Sequence, residues 1–530
     1  MSILFSFNFH HEVMRYHLPL FGLLIIPVLM MGQAGFINHY DFDGPNAGIT
    51  NMLLDGDTLY VVGIKQANNP PYIQGYFLAQ MDTLGHVVKT HTYYDSLQLN
   101  YGVAGFPSGF IQKKDKSGFL FAGGIFQTTN GVVLKTNHQG DLEWIKEYPD
   151  PDSQQDYYYC PLEVDGGYLI IGRKYNKSTS DLFIKKIDTN GEELWEKKYG
   201  DDNGRQDFFN SVYVVNDNEI VIGASTLPNQ NIPWQQTKAT VHIFAIDSLG
   251  VEKWSWESAQ SLEEIRVTGL HQTVEGGWIY LTTRVEYEID GFFKQQPRLI
   301  LRDSNFDLVK SLDLDDMDGQ TNLPYNMIRL SDGGYLGVGV NRELVENPGI
   351  SSVHQYAWMV KVNEEGDTLW QRRYLTFPDT IPNFTIQLLH SAVELPSGSM
   401  ICAGYFDGSS NHPKDWGILI KVDANGCVDT LGCGPISDLF QVDKPEFEVL
   451  VYPNPSDGDV TFSWPGSFSS TGMFIRLFDS NGKTIGEIPL LPGANSVQWH
   501  TNGIPQGLYF CQMISDEGLI WAGRVILMGL

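Results

Sequence analysis

Basic side chains are scarce in this sequence. Lys and Arg total 35 against 63 Asp and Glu, a formal net charge of −28. A surface of that sign repels phosphate backbones, which argues against nucleic acid as a partner. Its simplest role is to keep the protein soluble. Cysteine is rare too, with five in 530 residues, and the spacings form no zinc pattern. Long apolar runs are missing except near the start, where Leu18–Met31 reads LPLFGLLIIPVLMM. That run is short for a membrane span and suits a signal-peptide core, and Gly32-Gln33-Ala34 supplies small residues for cleavage. Residues 1–34 therefore read as a leader. Arg15 directly follows Met14 and nothing basic precedes it, so Met14 reads as the true start. The mature chain is expected to have no membrane span.

Catalytic signatures are also lacking. There is no Gly-x-Ser-x-Gly elbow, phosphate loop, His-Glu-x-x-His or dinucleotide fingerprint, and the sialidase-type Asp box is missing. Asp313–Gly319 has the acidity of a calcium loop, but Leu314 or Met317 falls on a ligand position and no Glu closes it. No cofactor and no metal are expected.

What is present is repetition. A short run of β-branched and aromatic residues ending in Gly or Thr recurs seven times, closing at Gly63, Gly123, Gly172, Gly223, Thr282, Gly339 and Gly404. A second signal, a tight turn, recurs seven times in step and ends at Gly85, Gly140, Gly191, Gly250, Phe306, Gly366 and Gly426. Four of these turns are followed by Trp144, Trp195, Trp254 or Trp370, and three of those by Tyr148, Tyr199 or Tyr374. Each period holds two hairpins, hence four strands. One such sheet cannot cover both of its faces, and radial packing of sheets solves the problem. The prediction is all-β: a seven-bladed β-propeller over residues 35–433, with the Trp side chains packed between blades. The seventh unit lacks a good fourth strand, and Phe36–Tyr40 is expected to supply it and close the ring.

The chain is exported, so disulfides are permitted. Cys427 and Cys433 flank a short turn and are expected to pair, worth at most about 3 kcal/mol for so small a loop. Cys160, Cys402 and Cys511 sit in strand-like runs and read as small buried apolar residues.

The turn Asp188-Thr189-Asn190-Gly191 followed by Trp195 resembles the tryptophan repeat of quinoprotein-type propellers. The resemblance implies fold only. Enzymes of that kind generally have eight blades and many carry adjacent cysteines, whereas this chain shows seven units and no Cys-Cys pair, so no quinone is expected.

Residues 434–446 break the repeat and read as a linker. Beyond it, alternating strands with Gly and Asn turns predict a small β-sandwich over 447–530. The Tyr452-Pro453-Asn454-Pro455 entry, the Phe478–Lys483 turn, the Ile504–Tyr509 approach and the closing strand Arg524–Met528 resemble the C-terminal sorting domain of type IX secretion cargo. That resemblance implies export through an outer-membrane translocon as partner, cleavage ahead of this domain, and a secreted or cell-surface destination.

The connections between hairpins and between units are the long ones, and in a propeller they gather on one face. They carry aromatics (Tyr72, Tyr158, Trp234, Phe292, Phe293) and carboxylates such as Asp150 and Asp156. Flat rings beside carboxylates suit sugar binding, so these five aromatics are the expected ligand-binding residues of a surface binding module for glycan or protein. Two other readings stay open. One is a glycan-degrading enzyme at the channel mouth, which needs two carboxylates roughly 5–10 Å apart. The other is an adhesive surface protein with no small ligand.

Overall fold

The computed structural model describes residues 35–428 and 449–528. Within these spans it leaves out 96, 98, 103–108, 151–152, 177–178, 201–205, 228–237, 288–292, 315–321, 348–349, 377–385, 408–414, 457, 465–472, 479–483 and 516–517. The leader, the linker and Cys433 lie outside the described residues. The chain divides into two compact bodies, Met1–Gly434 and Pro435–Leu530. The described residues are all-β, with no helix, and therefore none long and apolar enough to cross a membrane.

The N-terminal body is a succession of antiparallel four-stranded repeats. The first runs Ala47–Asp55, Thr58–Gln66, Gln74–Asp82 and Val87–Tyr93, paired in that order. Six more follow, with first strands beginning at Tyr101, Gln155, Gln206, Thr268, Leu323 and Ile386. In the second repeat the first strand is split into Tyr101–Gly102 and Phe110–Gln112. The seventh repeat supplies only three strands of its own. Its fourth is Phe36–Tyr40, antiparallel to Trp416–Val422 with Phe36 opposite Lys421 and Tyr40 opposite Gly417.

The apolar runs of the second strands follow from strand geometry. Successive side chains point to opposite faces. Leu59 and Val61 enter a buried cluster with Ile401 and Leu419 of the seventh repeat. Tyr60 and Val62 enter another with Phe119 and Val132 of the second. A strand buried on both faces must be apolar at every position. The same logic runs through the body, with seven buried clusters each drawn from two consecutive repeats, the last joining the seventh to the first.

The recurring Trp, Tyr and turn residues tie these neighbours together. The turn that closes at Gly191 is held by Asp188, whose Oδ1 accepts from the backbone N–H of Asn190 and Glu192, both at 2.8 Å. The ring of Trp144, one repeat earlier, comes so near that a Cβ on Gly191 would lie 3.1 Å from it. Tyr148 then donates to the Gly191 carbonyl at 2.8 Å. The same tyrosine-to-glycine bond joins Tyr93 to Gly140, Tyr199 to Gly250 and Tyr374 to Gly426. Tyr40 makes it across the seam, to Gly85 at 2.8 Å.

The first strands carry a bulge at a shared position, seen between Ile49 and Asn51, Tyr158 and Cys160, Phe209 and Ser211, Pro324 and Asn326, and Leu389 and Ser391. The bulge brings a first-strand carbonyl against the second strand. A Cβ on Gly404 would sit 1.7 Å from the Leu388 carbonyl oxygen, which explains why the second-strand run ends in Gly.

In the C-terminal body a three-stranded sheet (Leu450–Tyr452, Val460–Ser463, Ser496–Trp499) and a four-stranded one (Thr484–Pro489, Phe474–Phe478, Gly507–Ser515, Gly518–Leu527) contribute to one core. Val460, Phe462 and Trp499 come from the first sheet, and Ile475, Leu477, Met513 and Val525 from the second. Asn454 covers the edge of the last strand. Its Nδ2 donates to the Arg524 carbonyl at 2.8 Å and its Oδ1 accepts from the Ile526 N–H at 2.9 Å.

Candidate ligand-binding site

The long connections of the first and seventh repeats wall a cavity of about 460 Å³, within the usual range for small-ligand sites. Its lining comes from Asn46–Gly48 and Thr50 at the seam, Ile64 and Gln66 at the end of the second strand, Tyr72 and Gln74 after it, Asn100 ahead of the second repeat, and Tyr405 and Asp415 of the seventh. Two bonds cross the seam beside it. Asp415 N–H donates to Asn46 Oδ1 and Ala47 N–H donates to the Asp415 carbonyl, both at 3.1 Å.

Tyr72 stands on this wall half exposed, with φ at +56°. A non-glycine residue held in the left-handed region costs about 1–2 kcal/mol, and such strain concentrates at ligand clamps. The amides nearby are arranged by each other and by backbone. Asn46 Nδ2 donates to Gln66 Oε1 at 3.0 Å, and Asn100 Oδ1 accepts from Gln74 N–H at 2.7 Å. Among the described residues, Gln66 Nε2, Asn100 Nδ2, the Gln74 side-chain amide and the Tyr72 hydroxyl have no protein partner. Tyr405 packs beside the buried ring of His390, with centroids 6.0 Å apart, and burial pushes the His390 pKa down to about 3, so it stays neutral.

Two other cavities differ in chemistry. One, of about 220 Å³, is walled by first strands of six repeats and touches Asn51, Phe110, Cys160, Ser211, His271 and Asn326. Burial pushes the Cys160 thiol up to about 12, and burial also lowers the pKa of His271, whose Nε2 donates to the Met327 carbonyl at 2.8 Å. A protonated thiol and a committed neutral imidazole make no activated nucleophile. The other cavity, of about 360 Å³, lies at the opposite end of the sheets among the tight turns, with Lys113, Lys114 and Lys135 on its wall. These pair with Asp115, Asp217 and Glu143 at 3.3, 2.6 and 3.1 Å, which neutralises their charge. Among the described residues no grouping of His, Cys, Asp or Glu could hold a metal ion.

Of the five aromatics expected to bind ligand, Tyr72 lines the large cavity. Tyr158 does not face solvent. It is 1 % exposed and packed with Tyr148, Tyr168 and Phe183 between the second and third repeats, because strand alternation turns it inward between the half-buried Tyr157 and Tyr159. Trp234 and Phe292 lie outside the described residues, and Phe293 begins the strand Phe293–Arg302. Asp156 is a second correction. It is 3 % exposed, and burial raises its pKa to about 6. Tyr405 and the amides Asn46, Gln66, Gln74 and Asn100 were not anticipated. Tyr405 directly follows the repeat's Gly404, in the place that Ile64 holds after Gly63, and an alignment of the repeats would have exposed it. Cys427 is disulfide-bonded, while Cys160, Cys402 and Cys511 are free and buried.

An all-β chain with an N-terminal body of repeats and a separate C-terminal body fits many activities. Residues 450–527 narrow its destination, because they match the family described as secretion system C-terminal sorting domain. The protein is thus type IX secretion cargo, secreted or attached to the outer cell surface. No curated protein matches the chain. Similar solved structures include a polysaccharide lyase of the PL25 ulvan lyase family (TM-score 0.45, 9% identity, 74% of this chain and 97% of that one). A GH43 β-1,3-galactosidase gives TM-score 0.30 and 11% identity, over 74% of this chain and 94% of that one. A protein of unknown function from Dyadobacter fermentans gives 0.34 and 10%, over 74% and 98%.

Proposed function

We propose that the N-terminal body is a seven-bladed β-propeller acting as an exported binding module, and that the Tyr72 cavity is its ligand site. The C-terminal body is a β-sandwich read by the type IX translocon, residues 1–34 are a removable leader, and Cys427 pairs with Cys433. The observation that carries the binding role is the wall itself. A strained, exposed Tyr72 stands beside amide donors that have no partner among the described residues, in a cavity of ligand size. Recognition of glycan or of a protein segment uses such groups. Asp415 is the one carboxylate among the described lining residues, and glycoside hydrolysis ordinarily requires two, which favours binding over degradation.

The exported protein, screened on a glycan array and in parallel for release of reducing or unsaturated ends from polysaccharides, tests this reading. Binding without product is expected, with Tyr72→Ala weakening it at least tenfold at an unchanged melting temperature. Product release would put a glycan-degrading enzyme in its place.

A further inference from the structure

The binding surface extends past the cavity, a step that rests on the Tyr72 cavity being the ligand site. We infer that the ligand is an oligosaccharide chain longer than the cavity, and that Phe126 carries its later units. Among the described residues of the N-terminal body, Tyr72 and Phe126 are the two exposed aromatics, at 50 % and 51 %. Scattered apolar side chains are ordinary on a surface, but these two are joined. The link is Asn100, on the cavity wall. Its Oδ1 accepts from the N–H of Gln74, two residues on from Tyr72, at 2.7 Å, and its carbonyl accepts from Phe126 N–H at 3.0 Å. Its own N–H donates to Gln127 Oε1 at 2.8 Å.

The Phe126 ring is held in place. It lies on the backbone of Gly102, where a Cβ would come within 2.7 Å of it. The turn that carries it is closed by Ile125 N–H on the Asn130 carbonyl at 2.9 Å and by Thr129 N–H on the Ile125 carbonyl at 2.8 Å, with Thr129 at a φ of +60°. A ring fixed beforehand loses little freedom on binding. The strip between the two rings suits sugar better than peptide. An added peptide strand is held by main-chain groups. Here the N–H groups of Gln74, Asn100 and Phe126 are engaged as described, and that of Tyr72 donates to the Asn69 carbonyl at 2.9 Å. What the strip offers is flat rings and the side-chain amides of Gln74 and Asn100. Each unit of a saccharide chain has an apolar ring face and a hydroxyl edge. One unit can lie on Tyr72 and a later one on Phe126, with hydroxyls on the amides between.

Isothermal titration of the exported protein with gluco-, xylo- and galacturono-oligosaccharides of two to eight units tests this, beside an array of octapeptides. In a series that binds, affinity should rise with length and level off once the chain reaches both rings. Phe126→Ala should weaken the longest probe about tenfold and leave the shortest unchanged. Phe126→Tyr keeps a flat ring and should bind as the parent does, whereas Tyr72→Ala should weaken every length. All three variants should keep the parent's circular-dichroism melt. Equal affinity at every length, with Phe126→Ala without effect, would confine the ligand to the cavity and overturn this inference while keeping the site. Octapeptides binding with the same dependence on both rings would keep the surface and overturn the saccharide. Binding indifferent to Tyr72→Ala, or no binding by any probe, would overturn the site and this inference with it.

Discussion

Asp156 shows what a single buried carboxylate does to this protein. Its Oδ1 has no hydrogen-bond partner, and the nearby Lys174 is already engaged by Asp150 and Glu196. Burial raises its pKa to about 6, with Ser153 and Lys174 opposing that rise and Asp150 and Glu196 adding to it. The ordinary value is near 3.9, so between about pH 4 and 6 the folded protein holds a proton that the unfolded chain has lost. Stability contributed here falls as pH rises through that window, and the full penalty, on the order of 3 kcal/mol, is present above it. Asp156→Asn should therefore raise the urea midpoint at pH 7.5, and the gain should vanish by about pH 4. An Asn variant no more stable than the parent at pH 7.5 would refute the assignment. The residue scale is also where sequence reading was weakest. Tyr157, Tyr158 and Tyr159 are identical letters, and only the pairing of their strand, with its bulge between Tyr158 and Cys160, tells which ring is buried. Amides escaped notice for a related reason, since Gln66 and Asn100 become site residues only once the seam sets Tyr405 and Asp415 of the seventh repeat in the same cavity wall.

The turns between third and fourth strands were far more legible, because their geometry is local. An acceptor at the first position and a residue able to take positive φ at the fourth define them, and sequence shows both. The fifth repeat departs from this pattern at Phe306, yet the turn is kept. Phe306 has φ at +65°, and Asp303 Oδ1 accepts from Asn305 and Asp307 at 2.8 and 2.9 Å. Two effects oppose each other there. The left-handed backbone costs roughly 1–2 kcal/mol. Against it, the Phe306 ring packs on Trp254, Trp256 and Trp278 with centroids 5.4, 5.2 and 6.1 Å away, each pair worth about 0.5–1.5 kcal/mol beyond area burial. The ring contacts outweigh the strain, and the junction of the fourth and fifth repeats uses them where five of the other junctions use the tyrosine-to-glycine bond. Phe306→Gly should accordingly destabilise the protein by about 1–3 kcal/mol in urea unfolding, even though it restores the residue the other turns prefer. A variant as stable as the parent would show that backbone strain dominates.

At the scale of the whole N-terminal body, one strand decides whether the succession of sheets closes. Phe36–Tyr40 pairs with Trp416–Val422, nearly the full length of that body away in sequence, and Phe36 and Tyr40 pack against the cluster shared by the seventh and first repeats. The repeat period and the missing seventh fourth strand were readable from the sequence, since both are matters of spacing. The cavity beside this seam was not, because its walls come from opposite ends of the chain. Removal of residues 35–42 would leave the edge of Trp416–Val422 unpaired and uncover one side of a core that includes Phe77, Leu419 and Ile49. It would also take away Phe42, on which the Lys65 amine depends, and the Tyr40 bond to Gly85. The deletion should lower the melting temperature by more than about 10 °C and abolish ligand binding, since each kcal/mol shifts a large domain by about 2–4 °C. Tyr40→Phe, which removes one hydrogen bond of about 1 kcal/mol, should lower it by only a few degrees and leave binding intact. A deletion variant that melts where the parent does would show that the sheets hold together without the strand, and that the seam plays no part in forming the site.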